Sequence, residues 1–431
     1  MPGPFFPVRP PKAGQFPFSR VGLGTAHFSR QLRPAAFEAA EAAFAKGVNW
    51  VDLADTFAEG AATEELSAFF KTSKQDPEAI AIVAKSNPRL PLSPQQLRNQ
   101  LDRYRNRLGR FPDFFVIRGP EFSLPPLAHD LSALTELLRE CFAFLAHSKE
   151  KGEIRGFGVA SEGVVLPKED EAYLSLEMIV EAAMDELGSD FSGQGFQLVQ
   201  TPFNLLEPGA VATDSCSGNS PAEYLLKKGL QWLTYRPLQA WRGDRWVQLS
   251  EFSSHHQDPD LEKRVNESLT RLADLESTWT GTPSLRPRFA HDLQARGHEF
   301  LQPLRWSNVL RSHTPRLSAQ IAQEPGAAAY YLALKPLLAE YTRLVEKEAA
   351  IESRRYRALL DESAPMLAKL PSLPARLMAL YQSIPAVTGT AWGLTHPAHL
   401  ESLQAGASAT LRPGEAIRCF QFVDEWSEIN E

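Results

Sequence analysis

Six polar side chains hold most of the chemistry in this sequence: Asp52, Lys85, Arg118, Ser161, Gln200 and Tyr235. Each lies in or just past a short apolar run, and those runs are Trp50 to Leu53, Ile80 to Ala84, Phe114 to Ile117, Gly156 to Val159, Gln197 to Gln200 and Gln231 to Tyr235. A carboxylate and an ammonium brought together can satisfy each other inside the protein. A guanidinium such as Arg118 grips an oxyanion or carboxylate through its fork. With a pKa above about 12 it is a poor proton donor at neutral pH. Phe57, close behind Asp52, has no ionisable proton at all.

Other patterns carry less. His255-His256 with Asp258 and Asp260 has the residue types of a metal site, but adjacent histidines on a polar loop converge poorly on one ion, and no metal is expected. Gly22-Leu-Gly24 lacks the third glycine and the helix start of a dinucleotide fingerprint. Neither a G-x-S-x-G elbow nor a P-loop occurs.

To bring the six side chains together, the runs that carry them must end side by side. From residue 20 onward short apolar runs alternate with longer helical patterns, as in parallel strands joined by crossover helices. Strands are predicted to begin at Val21, Trp50, Ile80, Phe114, Gly156, Gln197, Gln231 and Pro385, the last ending at Thr388. Helical spacing fills the gaps, for example Phe37, Ala40 and Phe44, or Leu134, Leu138, Cys141 and Leu145. Eight such units point to an α/β fold, a closed (β/α)8 TIM barrel whose reactive groups gather where the strands end.

One connection is far too long for a single crossover helix. Residues 239–383 separate the last two strands, and Leu334, Leu337, Leu338, Tyr341, Leu344 and Val345 recur there at helical spacing, with a break expected at Pro336. An inserted helical subdomain is predicted. It contains Trp241, Trp246, Trp279 and Trp306 and 15 arginines, residue types that anchor protein interfaces and equally pack a subdomain. The expected division is a Pro-rich arm at 1–19, barrel strands one to seven at 20–238, the insertion at 239–383, the last strand and helix at 384–405, and a tail at 406–431.

Composition removes several function classes. With 43% hydrophobic residues among 431, the chain is neither disordered nor, lacking a long uncharged apolar run, membrane-spanning. Its net charge of −7 argues against a nucleic-acid partner. Three dispersed cysteines, Cys141, Cys216 and Cys419, fit a reducing compartment. Residues before Glu38 are basic without an acid, the bias of an organelle transit peptide, but the prolines oppose the helix such a peptide needs. A cytoplasmic location is expected, with an organelle matrix the alternative.

Read in order, the strand ends resemble the aldo-keto reductase superfamily. Asp52-Leu-Ala-Asp55-Thr-Phe57-Ala-Glu-Gly60 resembles D-T-A-D-x-Y-G-x-G, Lys85 closes the third strand, and Asp113-Phe-Phe-Val-Ile-Arg118-Gly-Pro120 resembles D-x-x-x-I-H-x-P. Gly152-Glu-Ile-Arg155-Gly-Phe-Gly158-Val159 resembles G-K-I-R-x-x-G-V, Gln200-Thr-Pro-Phe-Asn204 resembles Q-x-x-Y-N, and Tyr235-Arg-Pro-Leu238 resembles Y-S-P-L.

The resemblance implies reduction of small carbonyl substrates by NADPH through an Asp, Tyr, Lys, His tetrad. Asp52 and Lys85 match; Phe57 replaces the tyrosine acid and Arg118 the histidine. On the cofactor side it implies that Gln200 and Ser161 hold the nicotinamide carboxamide, Tyr235 stacks on the ring, and Thr388 and Gly389 lie near the phosphate, where the family's usual cation is missing. NADPH binding is therefore expected to be weakened. Two functions remain open: a barrel that has lost ordinary carbonyl reduction and acts as a binding or structural component, with a protein partner on the insertion, or an NAD(P)H-dependent reductase in which Lys85 or a water replaces the tyrosine.

Overall fold

The computed structural model describes residue 6 and residues 11–123, 131–242, 245–252 and 258–430. Two compact units emerge, Met1–Leu238 with Leu360–Glu431, and Gln239–Leu359. The described residues hold ten strands: β1 (Val21–Gly24), β2 (Trp50–Ala54), β3 (Ala81–Lys85), β4 (Phe114–Arg118), β5 (Gly156–Ala160), β6 (Phe196–Pro202), β7 (Gln231–Tyr235), β8 (Gln239–Arg242), β9 (Arg245–Gln248) and β10 (Val387–Trp392).

In the first unit β1 to β7 and β10 close a parallel barrel, with β10 between β1 and β7, and helices fill the connections. This is the predicted (β/α)8 architecture. The helices form where local chemistry starts and stops them. Ser93 accepts a hydrogen bond from Gln96 N ahead of Pro94–Leu108, which ends at Gly109 with φ 81°. Ser220 and Glu223 form a reciprocal capping box before Pro221–Lys228.

Side-chain alternation places the site. Trp50, Ala81, Val83, Phe114, Val116, Ala160, Leu198, Leu233 and Ala391 face one another in an apolar cluster inside the barrel. Two residues further along the same strands stand Asp52, Lys85, Arg118, Gln200 and Tyr235, on the same inward face and at the C-terminal ends.

The N-terminal arm is not simply extended. Phe18 is fully buried in that interior cluster, 5.2 Å from the Phe114 ring and 5.7 Å from Trp50, and Phe16 packs against it at 4.8 Å. Trp50 Nε1 donates to Ser19 O at 2.9 Å, locking the arm to the barrel floor. Gly22 is required opposite it, since a Cβ there would fall 2.1 Å from the Trp50 ring.

Beyond shifts of a residue or two at strand ends, three differences from the sequence reading matter. The last strand starts two residues later, because Ile384–Ala386 is a turn closed by Val387 N donating to Ile384 O at 3.2 Å. Residues 360–383, counted with the insertion, lie in the first unit, where Leu373–Gln382 is the buried crossover helix leading to β10. The tail is a helix, Pro413–Asn430, that buries Cys419, Phe420 and Val423 and brings Phe420 to 4.9 Å from Phe203.

The second unit opens with the antiparallel hairpin β8–β9, which helical periodicity could not reveal, and in it the Trp241 and Trp246 rings stack at 4.2 Å. Helices follow around a separate core containing Leu261, Leu272, Leu293, Trp306, Tyr330, Leu337 and Tyr341. Trp306 is 4.5 Å from Tyr341, and Trp279 packs partly buried against the same core. Helix Ala327–Ser363 runs through Pro336 without the expected break; the proline has no N–H for the Leu332 carbonyl, and Leu332 is 76% exposed, where water can reach. His255 and His256 lie outside the described residues, and Asp258 pairs with Arg264.

Candidate functional site

Four of the predicted residues meet at the centre of the mouth. Asp52, Lys85 and Gln200 are almost completely buried, at 3%, 2% and 0% exposure. Lys85 Nζ donates to Asp52 Oδ2 at 2.9 Å, and Gln200 Nε2 donates to the other carboxylate oxygen at 3.2 Å. The Lys85 ammonium lies 4.3 Å from the centre of the Tyr235 ring and 5.6 Å from that of Phe57. A desolvated cation gains about 2 kcal/mol from such an aromatic face.

Burial pushes the proton affinity of Lys85 down, the Arg118 charge adds to this, and Asp52 opposes both. Burial pushes the Tyr235 hydroxyl up, well away from the range of a useful acid. Gln200 Oε1 is buried and accepts no hydrogen bond from any described residue. Its amide orientation is fixed, since a flip would place oxygen against the Asp52 carboxylate.

Phe57 and Arg118 form one wall. The Arg118 carbon Cζ lies 5.8 Å from the Phe57 ring centre, its Nη1 donates to Thr56 Oγ1 at 3.3 Å, and its backbone N donates to Ser86 Oγ at 2.9 Å. The turn behind Phe57 holds two consecutive non-glycine residues in the left-handed region, Ala58 at φ 50° and Glu59 at φ 56°, a strain of about 1 kcal/mol each. Sequence spacing gives no hint of that turn.

Several groups around the mouth were not found from the sequence. The Tyr104 hydroxyl donates to Lys85 O at 2.9 Å and accepts from Asp55 N at 2.7 Å, so its proton is committed to holding the ends of β2 and β3 together. Burial also raises its pKa. Glu121 accepts from the backbone N–H groups of Glu162 and Gly163 at 3.0 and 3.2 Å, and burial raises its pKa too. Arg236, itself at φ 59°, pairs with Glu162 at 3.2 Å and with Glu207 at 2.7 Å, so one cation bridges the segments after β5 and β6. Tyr104 sits on a helix face as an ordinary core residue would; only the Y-S-P-L comparison marks position 236, where a serine would stand.

The remaining cofactor residues divide. Ser161 stays at the mouth, buried, its Oγ accepting from Val164 N at 3.3 Å and its N donating to Gln200 O at 3.1 Å. Thr388 and Gly389 do not belong there: they lie in the first half of β10, at the opposite end of the barrel. Thr388 Oγ1 accepts from Trp232 N at 3.1 Å, and a Cβ on Gly389 would fall 2.7 Å from Ser19 O in the N-terminal arm. Ending the last strand at Thr388, four residues early, put both residues at its exit. The true exit is Gly393 to Pro397, where Ala398 N donates to His396 Nδ1 at 3.2 Å as the next helix begins.

Residues 20–277 match the aldo/keto reductase family. The chain belongs to that family. Among solved structures, it is similar to an aldo-keto reductase from Pseudomonas aeruginosa at 19% identity, with 54% of this chain and 79% of that one covered and a TM-score of 0.37. It is also similar to the thermostable aldo-keto reductase Tm1743 with the inhibitor epalrestat, at 17% identity, with 61% and 80% covered and a TM-score of 0.41. No curated protein matches. Aldo/keto reductases typically bind NAD(P)H, and the residues here fit one end of it. Gln200 Oε1 is free to accept from a carboxamide and Tyr235 offers a ring, but residues 393–407 hold no lysine or arginine for a phosphate. No helix among the described residues is long and apolar enough to cross a membrane.

Proposed function

We propose that this aldo/keto reductase has lost standard carbonyl reduction and serves as a binding or structural component of an assembly. The observation that carries this reading is the surroundings of Lys85 Nζ: an aromatic ring without a hydroxyl stands at Phe57, where the family's acid would be. The nearby hydroxyls are poor substitutes, Tyr104 being committed to a carbonyl and Tyr235 pushed up by burial. A cofactor, when bound, supplies hydride, and Gln200, Ser161 and Tyr235 would hold its nicotinamide; its binding is weakened by the missing phosphate cation and by the engagement of Gln200 Nε2 with Asp52. The second unit is the partner surface in this reading, supported by Trp241 at 38% exposure and Leu332 at 76%.

A second reading keeps the protein an NAD(P)H-dependent oxidoreductase with Lys85 or a water as donor, favoured by the intact Asp52–Lys85 pair. Titration with NADPH and NADH, followed by tryptophan fluorescence, separates the two. Weak or absent saturation without turnover of an aldehyde panel is expected, and turnover by the unaltered protein at rates usual for the family defeats the first reading. If cofactor binds, Phe57→Tyr with Arg118→His is expected to raise aldehyde turnover by about a hundredfold or more, the usual worth of a placed proton donor.

A further inference from the structure

Among the described residues, the ion pairs around the mouth leave Arg118 without a carboxylate. Asp52 is engaged by Lys85, Asp55 pairs with Arg103 at 3.3 Å, and both Glu162 and Glu207 are held by Arg236. Glu121 is turned onto backbone N–H groups. Among the described residues Arg118 has no carboxylate partner, only the Thr56 hydroxyl, and it is half-buried, so its fork keeps most of its five donors unspent.

Two more unmet groups lie below it. Among the described residues Lys85 Nζ, with three N–H donors, bonds one oxygen acceptor, Asp52 Oδ2, and stands beside the Phe57 and Tyr235 rings. Gln200 Oε1 is a buried acceptor without a donor. Lys85 and Gln200 are bound to the two oxygens of the same carboxylate and are therefore immediate neighbours. A single hydroxyl can accept from Lys85 and donate to Gln200, whereas a ketone oxygen can only accept. Arg118 and Lys85 also flank one ring, that of Phe57, at 5.8 and 5.6 Å.

We propose that the cofactor-free mouth binds a small hydroxy acid, with its carboxylate on the Arg118 fork, its hydroxyl between Lys85 Nζ and Gln200 Oε1, and its apolar body against Phe57 and Tyr235. This rests on the reading of the mouth as a binding site and names the ligand class. The preference for hydroxyl over ketone follows from Gln200, and the requirement for a charged head from Arg118. Half-buried Phe57, Arg118 and Tyr235 form the rim, and buried Asp52, Lys85 and Gln200 the floor.

The full-length protein without cofactor is titrated calorimetrically with mandelate, the neutral mandelamide, the ketone phenylglyoxylate and inorganic phosphate. Saturable mandelate binding is expected, with mandelamide and phosphate weaker by about tenfold or more and phenylglyoxylate between. Arg118→Gln is expected to reduce mandelate to the mandelamide level, Arg118→Lys to retain part of the gain, and Gln200→Leu to remove the preference for mandelate over phenylglyoxylate. Equal binding of mandelate and mandelamide, or an Arg118→Gln protein that binds mandelate as tightly as before, overturns the proposal. Turnover of an aldehyde with added NADPH by the unaltered protein would defeat the loss of chemistry while leaving this site standing; absence of mandelate binding in a protein that also turns over no aldehyde defeats this site alone.

Discussion

The floor and the mouth of this barrel are filled by the same strands in opposite ways. At the floor, Trp50 and Phe114 meet Phe18 from the N-terminal arm in an apolar plug. Two residues on, the inward positions carry a carboxylate, an ammonium, an amide and a guanidinium. The first arrangement is stabilised by area removed from water, the second only by partners it finds. Among the described residues partners run short at Arg118 and Gln200 Oε1, and these are the groups that the proposed ligand would engage.

The largest effect is expected at the floor. Phe18→Ala should cost about 4 kcal/mol in urea unfolding, and should leave mandelate affinity unchanged when measured well below the transition. A loss of binding as large as the loss of stability would mean that the two ends are not separable. At the mouth, Lys85→Met should cost about 3 kcal/mol, because it leaves the Asp52 carboxylate buried without its cation. Asp52→Asn combined with Lys85→Met should recover part of that loss.

Lys85 also predicts the sign of a pH effect. Its folded pKa is lowered by burial, so between that value and the ordinary lysine range the unfolded chain binds the extra proton. Stability should rise with pH across this window, and Lys85→Met should flatten that rise. An unchanged slope would assign the titration elsewhere. The smallest effect is expected at Arg118: Arg118→Gln should shift stability by no more than about 0.5 kcal/mol, since no ion pair is lost, while abolishing most mandelate binding. A large loss of stability there would make Arg118 part of the scaffold.

The barrel was legible because strands buried on both faces read as apolar runs, and their inward ends showed as the polar residues Asp52, Lys85, Arg118, Gln200 and Tyr235. Their convergence followed from the fold. Legibility failed where local pattern and tertiary pairing diverge. Gly389 reads as a loop residue, yet it lies inside β10, so Thr388 and Gly389 were placed at the wrong end of the barrel. Tyr104 and Arg236 act through contacts between segments far apart in the chain, which no periodicity encodes. The β8–β9 hairpin is only four residues per strand, too short to stand out from the helices that follow.

The position of the second unit in the chain has a consequence for how the protein is made. Val21 pairs with Thr390 and Trp232 pairs with Val387, so both seams of the barrel are closed by β10. Gln239–Leu359 is translated after β1 and β7 and before β10, so if the earlier strands assemble in that time, β1 and β7 each keep a row of unpaired backbone groups. Such open parallel edges are templates for pairing with other chains. The nascent protein therefore passes through a long interval in which it is a nearly finished barrel with two exposed edges, and a chain stopped before Trp392 is an aggregation hazard even though seven of its eight barrel strands are in place.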